Sequence, residues 1–177
     1  TLLTLDGRIA VERMMKEFEF KKYKAPSGWM LVLNYYRIIE FLNQSRYYLS
    51  RYFESVKEKK EIRLSLIYHH FDLNHIFVDQ QKLISIDQMK INYCIYDLVE
   101  LFQNQKDLYE CVALFDGYLE EIDLYQEEKL LLLCLLSIVP HVSLNEDENN
   151  NIQEMAKLIC YMDGIVKIFK KIEIDEV

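Results

Sequence analysis

Three of the four histidines of this chain fall within nineteen residues of sequence together with the carboxylates of Asp72 and Asp87: His69, His70 and His75, with Asn74 among them. A carboxylate or an imidazole at such a place can take a proton from a reacting hydroxyl. Carboxylate and amide oxygens also suit a hard cation such as Mg²⁺. The spacing of these groups matches no standard zinc-ligand set. Their setting is informative too. In Tyr68-His69-His70-Phe71-Asp72-Leu73-Asn74-His75-Ile76-Phe77-Val78 and Ile84-Ser85-Ile86-Asp87, the polar groups flank short apolar runs. Strand ends present such groups at the edge of a sheet.

The elements that must hold these residues are short. Ile62, Leu64, Leu66 and Tyr68 alternate with Arg63, Ser65 and Ile67, a period of two that predicts a strand. Ile76 to Val78 and Leu83 to Ile86 are two further apolar runs, and Asp79 to Lys82 between them predicts a hairpin turn. Helical spacing surrounds this stretch. It is predicted for Arg8 to Phe20, and for Trp29 to Lys57 along the stripe Leu31, Tyr35, Ile38, Leu42, Leu49, Tyr52 and Val56. Ser27 is expected to cap that second helix. Further helices are predicted around Ile95 to Phe102, Leu108 to Leu119, Leu124 to Val139 and Ile152 to Lys170. Asp123 and Gln126 are read as the capping arrangement of the Leu124 helix, Pro140 as its stop, and Gly164 as an interruption of the last.

Composition bounds the rest. A length of 177 residues suits one domain or one lobe, and half of them are hydrophobic. Four glycines and two prolines disfavour a turn-rich all-β fold. A net charge of −8 argues against nucleic acid and anionic membranes as partners. The run Leu130 to Val139 is far short of the roughly 18 apolar residues a bilayer span needs, so it reads as a buried helix. Cys94, Cys111, Cys134 and Cys160 form no Cys-x-x-Cys pair and read as buried, reduced thiols, which fits a cytoplasmic location.

The order of these features resembles a family. A strand, a His-Gly-Asp-x-x-x-x-Asn loop, an apolar strand, a hairpin and an Ile-Asp-x-Asp strand end form the catalytic core of aminoglycoside phosphotransferases and choline kinases, within the protein-kinase-like superfamily. The spore-coat CotS-like kinases look most similar. Their Tyr-Asp-Leu helix start is matched by Tyr96-Asp97-Leu98. Downstream come Phe115-x-x-Tyr118, Gln126-Glu127-Glu128 and a leucine-rich helix closed by Pro140. The resemblance covers roughly Tyr35 to Pro140. It implies a helix-rich α+β fold, the C-terminal lobe of a kinase-like protein, with two or three short strands among six or seven helices. On it, residues 1–177 form one lobe, and 62–97 hold the catalytic-loop-like hairpin.

The resemblance also implies roles. In the family the loop Asp deprotonates the acceptor hydroxyl, while the loop Asn and the Ile-Asp carboxylate hold Mg²⁺ against the nucleotide phosphates. Aligned without gaps, Tyr68 takes the place of the motif His, His69 of its Gly, His70 of the catalytic Asp and His75 of the metal-binding Asn. In a shifted alignment Asp72 is the base and Asn74 partly compensates for Phe77 at the Asn position. Asp87 stands at the metal position in both, and Met89 replaces the second Asp. The ungapped alignment is favoured because it keeps the spacing to Asp87. Asp97 is expected to cap a helix or to anchor the loop through a salt bridge. No Gly-rich loop and no phosphate-binding strand Lys precede Tyr35, so a nucleotide lobe is absent from this chain and ATP should be held poorly. The resulting expectation is a catalytically degenerate, pseudokinase-like domain that binds a protein partner, in spore-coat or related assembly. The alternatives are an active phosphotransferase using ATP and Mg²⁺ on a small-molecule hydroxyl, and a helical interaction module.

Overall fold

The computed structural model describes residues 2–20, 25–69, 76–80, 82–84, 86–104, 110–142 and 145–174. Six α-helices and four short strands lie among them. In chain order they are α1 (Leu2–Phe20), α2 (Pro26–Val56), β1 (Ser65–Ile67), β2 (Ile76–Phe77), β3 (Lys82–Leu83), β4 (Lys90–Asn92), α3 (Ile95–Asn104), α4 (Cys111–Glu121), α5 (Gln126–Leu136) and α6 (Glu148–Phe169). The fold is helix-rich α+β, as the sequence predicts. No described helix is long and apolar enough to cross a membrane.

Helix α2 is the spine, packing against α1, α5 and α6. Its predicted stripe holds: Leu31, Ile38 and Leu42 are buried, and Tyr35, Leu49, Tyr52 and Val56 are half-buried. Its start differs from expectation. Pro26 opens the helix, where its missing N–H costs nothing. Ser27 thus lies inside the first turn instead of capping it. A carboxylate from α6 takes over: Ser27 donates its N–H to Glu148 Oε1 at 2.8 Å and its hydroxyl to Oε2 at 3.0 Å. An anion there also favours the positive end of the helix dipole.

Helix α5 supplies the most deeply buried run, Leu130 to Cys134 with Leu136, as predicted. Its bounds are shorter than the predicted 124–139. Asp123 and Leu124 precede the helix, and the Glu128 side chain reaches back to the Tyr125 N–H at 2.9 Å. The capping arrangement is therefore two residues later than read. Ser137 closes the helix, before Pro140, by donating its hydroxyl to the Leu133 carbonyl at 2.7 Å. Helix α6 runs through Gly164 without a break and is capped by Asp147, which accepts from Asn149 N at 3.0 Å. Phe41 of α2 stacks on Phe169 of α6 with centroids 6.2 Å apart, and Tyr48 meets Phe169 edge-on.

The thiols depart from the expectation of uniform burial. Cys134 is buried, Cys94 is half-buried and Cys160 is exposed on α6, because apolar sequence neighbours on a helix do not put a residue on its inner face. The Cys111 side chain lies outside the described residues.

Candidate functional site

The strands form two antiparallel pairs, one enclosed by the other in sequence. β2 pairs with β3, Ile76 opposite Leu83 and Phe77 opposite Lys82, through a 3₁₀ turn at Val78–Gln80. β1 pairs with β4, Leu66 opposite Ile91 and Ile67 opposite Lys90. Two of the three predicted strands and the hairpin are thus present in shortened form. The third is confined to Lys82–Leu83, because Ile86 already opens a 3₁₀ turn, Ile86–Gln88. Strand β4 was not predicted; three residues with one apolar side chain give no period to read.

The phase of β1 is informative. Ile67 is buried and Arg63 and Ser65 are half-buried, whereas Ile62, Leu64 and Leu66 are exposed. The alternation is real, but its larger apolar set faces outward. Arg63 sets the phase by reaching inward to α5. Its Nε lies 2.9 Å from Glu128 Oε1, a second N–H bonds Oε2, and that same nitrogen donates to the Asp123 carbonyl at 2.7 Å. The guanidinium lies over the Tyr125 ring, 4.1 Å from its centroid. This bonding to Glu128 holds Arg63 firmly in its charged form. Glu128 is 1% exposed, and Glu127 beside it, 2% exposed, meets the Lys59 ammonium at 2.6 Å. The segment 57–64 is thus strapped to α5 by two ion pairs that deliver β1 to the site.

At the end of β1 the chain is held by Asp97, in the first turn of α3. Its Oδ2 accepts the Tyr68 N–H at 2.8 Å and its Oδ1 the His69 N–H at 2.9 Å. Asp97 anchors the end of β1 through backbone N–H groups, not through the expected salt bridge. A carboxylate accepting two such bonds forms charge-assisted pairs, stronger than neutral ones. His69 has φ of 60°, the sole positive value found for a non-glycine residue among those described. Its Nδ1 lies 3.1 Å from Glu100 Oε1 and its Nε2 3.0 Å from the Lys90 ammonium. The Tyr68 hydroxyl donates to the Ile84 carbonyl, tying the start of the loop to the end of the hairpin. Behind them Tyr52 and Tyr93 share a hydroxyl bond of 2.8 Å, and burial followed by that bond raises the Tyr52 phenol above its ordinary range.

Of the sequence-predicted site residues, His70, Asp72, Asn74 and His75 lie outside the described residues. Asp87 is exposed on the 3₁₀ turn Ile86–Gln88, with half-buried Met89 after it. Among the described residues no group of three His, Cys, Asp or Glu side chains is placed to hold a metal ion. Asp87 is brought to the strand layer, on the turn just before β4. Sequence reading missed Lys90 and Glu100, the partners of His69, and Arg63 as the partner of Glu128. For Arg63 a signal existed, since a lone basic residue inside an apolar alternation needs an acid on the buried side. No family model, curated protein or solved structure matches this chain.

Proposed function

We propose that the chain is a degenerate lobe similar to the C-terminal lobe of aminoglycoside phosphotransferases and choline kinases, of the CotS-like kind, and that it acts by binding a protein partner. One observation carries the reading. His69, which the ungapped alignment sets at the motif's Gly, has φ of 60°. That conformation is one glycine adopts freely and other residues rarely do. The shifted alignment would set Phe71 there instead. Further support comes from the order strand, hairpin, Ile-Asp turn, and from Asp97 anchoring the end of β1.

The chemistry follows from that alignment. It sets His70 at the base, His75 at the metal-binding Asn and Met89 at the second carboxylate. An imidazole can still accept a proton. Imidazole and thioether, however, are poor substitutes for the oxygen ligands Mg²⁺ demands. Asp87 alone keeps an oxygen donor at its place, so phosphoryl transfer loses the charge neutralisation on which it chiefly depends. A protein partner in spore-coat or related assembly fits such a loss.

Calorimetric titration of ATP with and without Mg²⁺ into this chain, and into Asp87→Ala, tests the reading. The expected result is no Mg²⁺-dependent heat in either. A Mg²⁺-dependent heat that disappears in Asp87→Ala overturns it and favours the active phosphotransferase with Asp72 as base.

A further inference from the structure

We infer that two copies of this chain pair antiparallel through the outer face of α2, with Glu40 of one copy against Asn43 of the other. The outer face of a surface helix is expected to be polar. On α2, Trp29, Leu33, Tyr36, Glu40, Asn43, Tyr47, Ser50 and Glu54 follow one another at alternating steps of four and three residues, and all of them are exposed. Leu33 is 79% and Tyr36 80% exposed, while Leu31, Ile38 and Leu42 on the opposite side of the helix lie in the core. Helix α1 covers one flank of the stripe, where Phe18 meets Gly28. Helix α6 covers the other, where Asp163 takes Arg37 at 2.6 Å and Phe169 stacks on Phe41. From Trp29 to Glu54 the stripe between them runs about 38 Å.

The order of the side chains says what covers the stripe. Steps of three and four residues are the seam along which two helices pack side by side. The end nearer Trp29 is apolar and aromatic, the middle is polar, and the far end holds Tyr47, Ser50 and Glu54. A second copy running in the opposite direction, about a two-fold axis between Phe41 and Leu42, sets Trp29 against Glu54, Leu33 against Ser50, Tyr36 against Tyr47 and Glu40 against Asn43. Donors then meet acceptors. The indole N–H faces the Glu54 carboxylate, and the Asn43 amide N–H faces the Glu40 carboxylate, once on each side of the axis. The two tyrosines form an aromatic pair. Tyr47 is already held for it on its own helix, edge-on to Tyr48 at 5.3 Å and accepting an Arg51 N–H at 3.4 Å.

Charge selects the direction. A parallel pair would set Glu40 against Glu40 and Glu54 against Glu54, and like charges facing across an interface are repulsive. The two-fold axis also falls near the middle of α2, Pro26–Val56, so antiparallel helices overlap almost end to end. A closed two-fold pair uses the same surface on both copies and leaves none of it for further growth. A seam about 38 Å long on a helix about 10 Å wide is small beside the roughly 800 Å² per partner of a lasting interface, so the pair should come apart on dilution. The pairing is independent of the kinase-like reading, because no residue of the stripe belongs to the strands or to the Asp97 anchor.

Sedimentation equilibrium of the chain from about 1 μM to 1 mM tests the pairing, and a concentration-dependent dimer is the expected result. Tyr36→Asp changes an exposed position, so it should keep the urea-unfolding midpoint of the dilute natural chain. It should weaken the dimer about ten-fold or more, because it sets a charge in the aromatic layer. Cross-linking reads the direction. Chains carrying Leu33→Cys and chains carrying Ser50→Cys, oxidised mildly with oxidised glutathione, should form a disulfide dimer when mixed. Neither alone should do so above the level of the natural chain, which accounts for the exposed Cys160. Within one chain the two positions are about 25 Å apart along the helix and cannot be bridged. A monomer throughout the range assigns the stripe to a different protein and overturns the inference. A dimer indifferent to Tyr36→Asp, the lack of a mixed disulfide, or a Leu33→Cys chain that cross-links to itself also overturns it. If Tyr36→Asp fails to fold, the mixed disulfide decides alone.

Discussion

A single backbone angle at His69 carries more information than any side chain near it. A non-glycine residue in the left-handed region costs about 1 kcal/mol or more, which must be offset by its neighbours. Here the offsets are visible: Asp97 takes the N–H, and Glu100 and Lys90 take the ring. The expected outcome is an inverted glycine–alanine order. Both His69→Gly and His69→Ala lose the ring contacts, but glycine should leave the protein about 1 kcal/mol more stable than alanine, because alanine retains a Cβ in the left-handed region. Urea unfolding of the two variants checks this; equal stabilities would deny the strained backbone. No residue type warns of the angle, since His-His-Phe contains none of the glycine or asparagine that usually marks it.

Between elements, close approach of α1 to α2 depends on Gly28. A Cβ there would overlap the Phe18 ring, which is 7% exposed and part of the core. Alanine gains about 1 kcal/mol in helix propensity, but overpacking costs about 1–3 kcal/mol. Gly28→Ala should therefore destabilise by about 1 kcal/mol. Gly117, inside α4, is the contrast, because a Cβ there meets nothing within 4 Å. Gly117→Ala should stabilise by about 0.5–1 kcal/mol, since only the propensity gain applies. Thermal or urea melts of both variants report the two signs, and the same sign for both would contradict this packing. The role of Gly28 as a contact surface depends on Phe18, ten residues earlier on another helix.

For the whole molecule, the tie between the strand layer and the helices is the Arg63–Glu128 pair. Arg63→Met leaves a carboxylate that is 1% exposed without its counter-ion and should cost about 2–4 kcal/mol. The double change with Glu128→Leu should recover more than half of that loss, because the stranded charge is gone. Urea unfolding of the three variants measures it. The helical core responds to alkali through Tyr161, whose hydroxyl donates to the Leu136 carbonyl at 2.8 Å. Burial pushes this phenol well above the ordinary tyrosine range. The unfolded phenol ionises near pH 10 while the folded one stays neutral, so the stabilisation is intact below about pH 10 and lost as pH rises further. Between pH 10 and 11.5 the natural protein should lose stability more steeply than Tyr161→Phe, by up to about 1.4 kcal/mol per pH unit. Identical slopes in urea unfolding would show that Tyr161 ionises as freely when folded.

Sequence alone determined the helix-rich α+β class, the α2 stripe, the burial of Leu130 to Leu136 and the place of the hairpin, because these depend on local period and on turn residues. It also set Asp97 at a helix start as a cap or anchor, but not its partners, the Tyr68 and His69 N–H groups. Tertiary structure decided what no local pattern encodes. The outward phase of Ile62, Leu64 and Leu66 follows from Arg63 seeking Glu128, 65 residues away. Ser27 yields its cap to Glu148, 121 residues away. The angle at His69 is imposed by Asp97 and by two side chains from separate elements. The physical constraint that orients the end of β1 likewise comes from contacts distant in sequence.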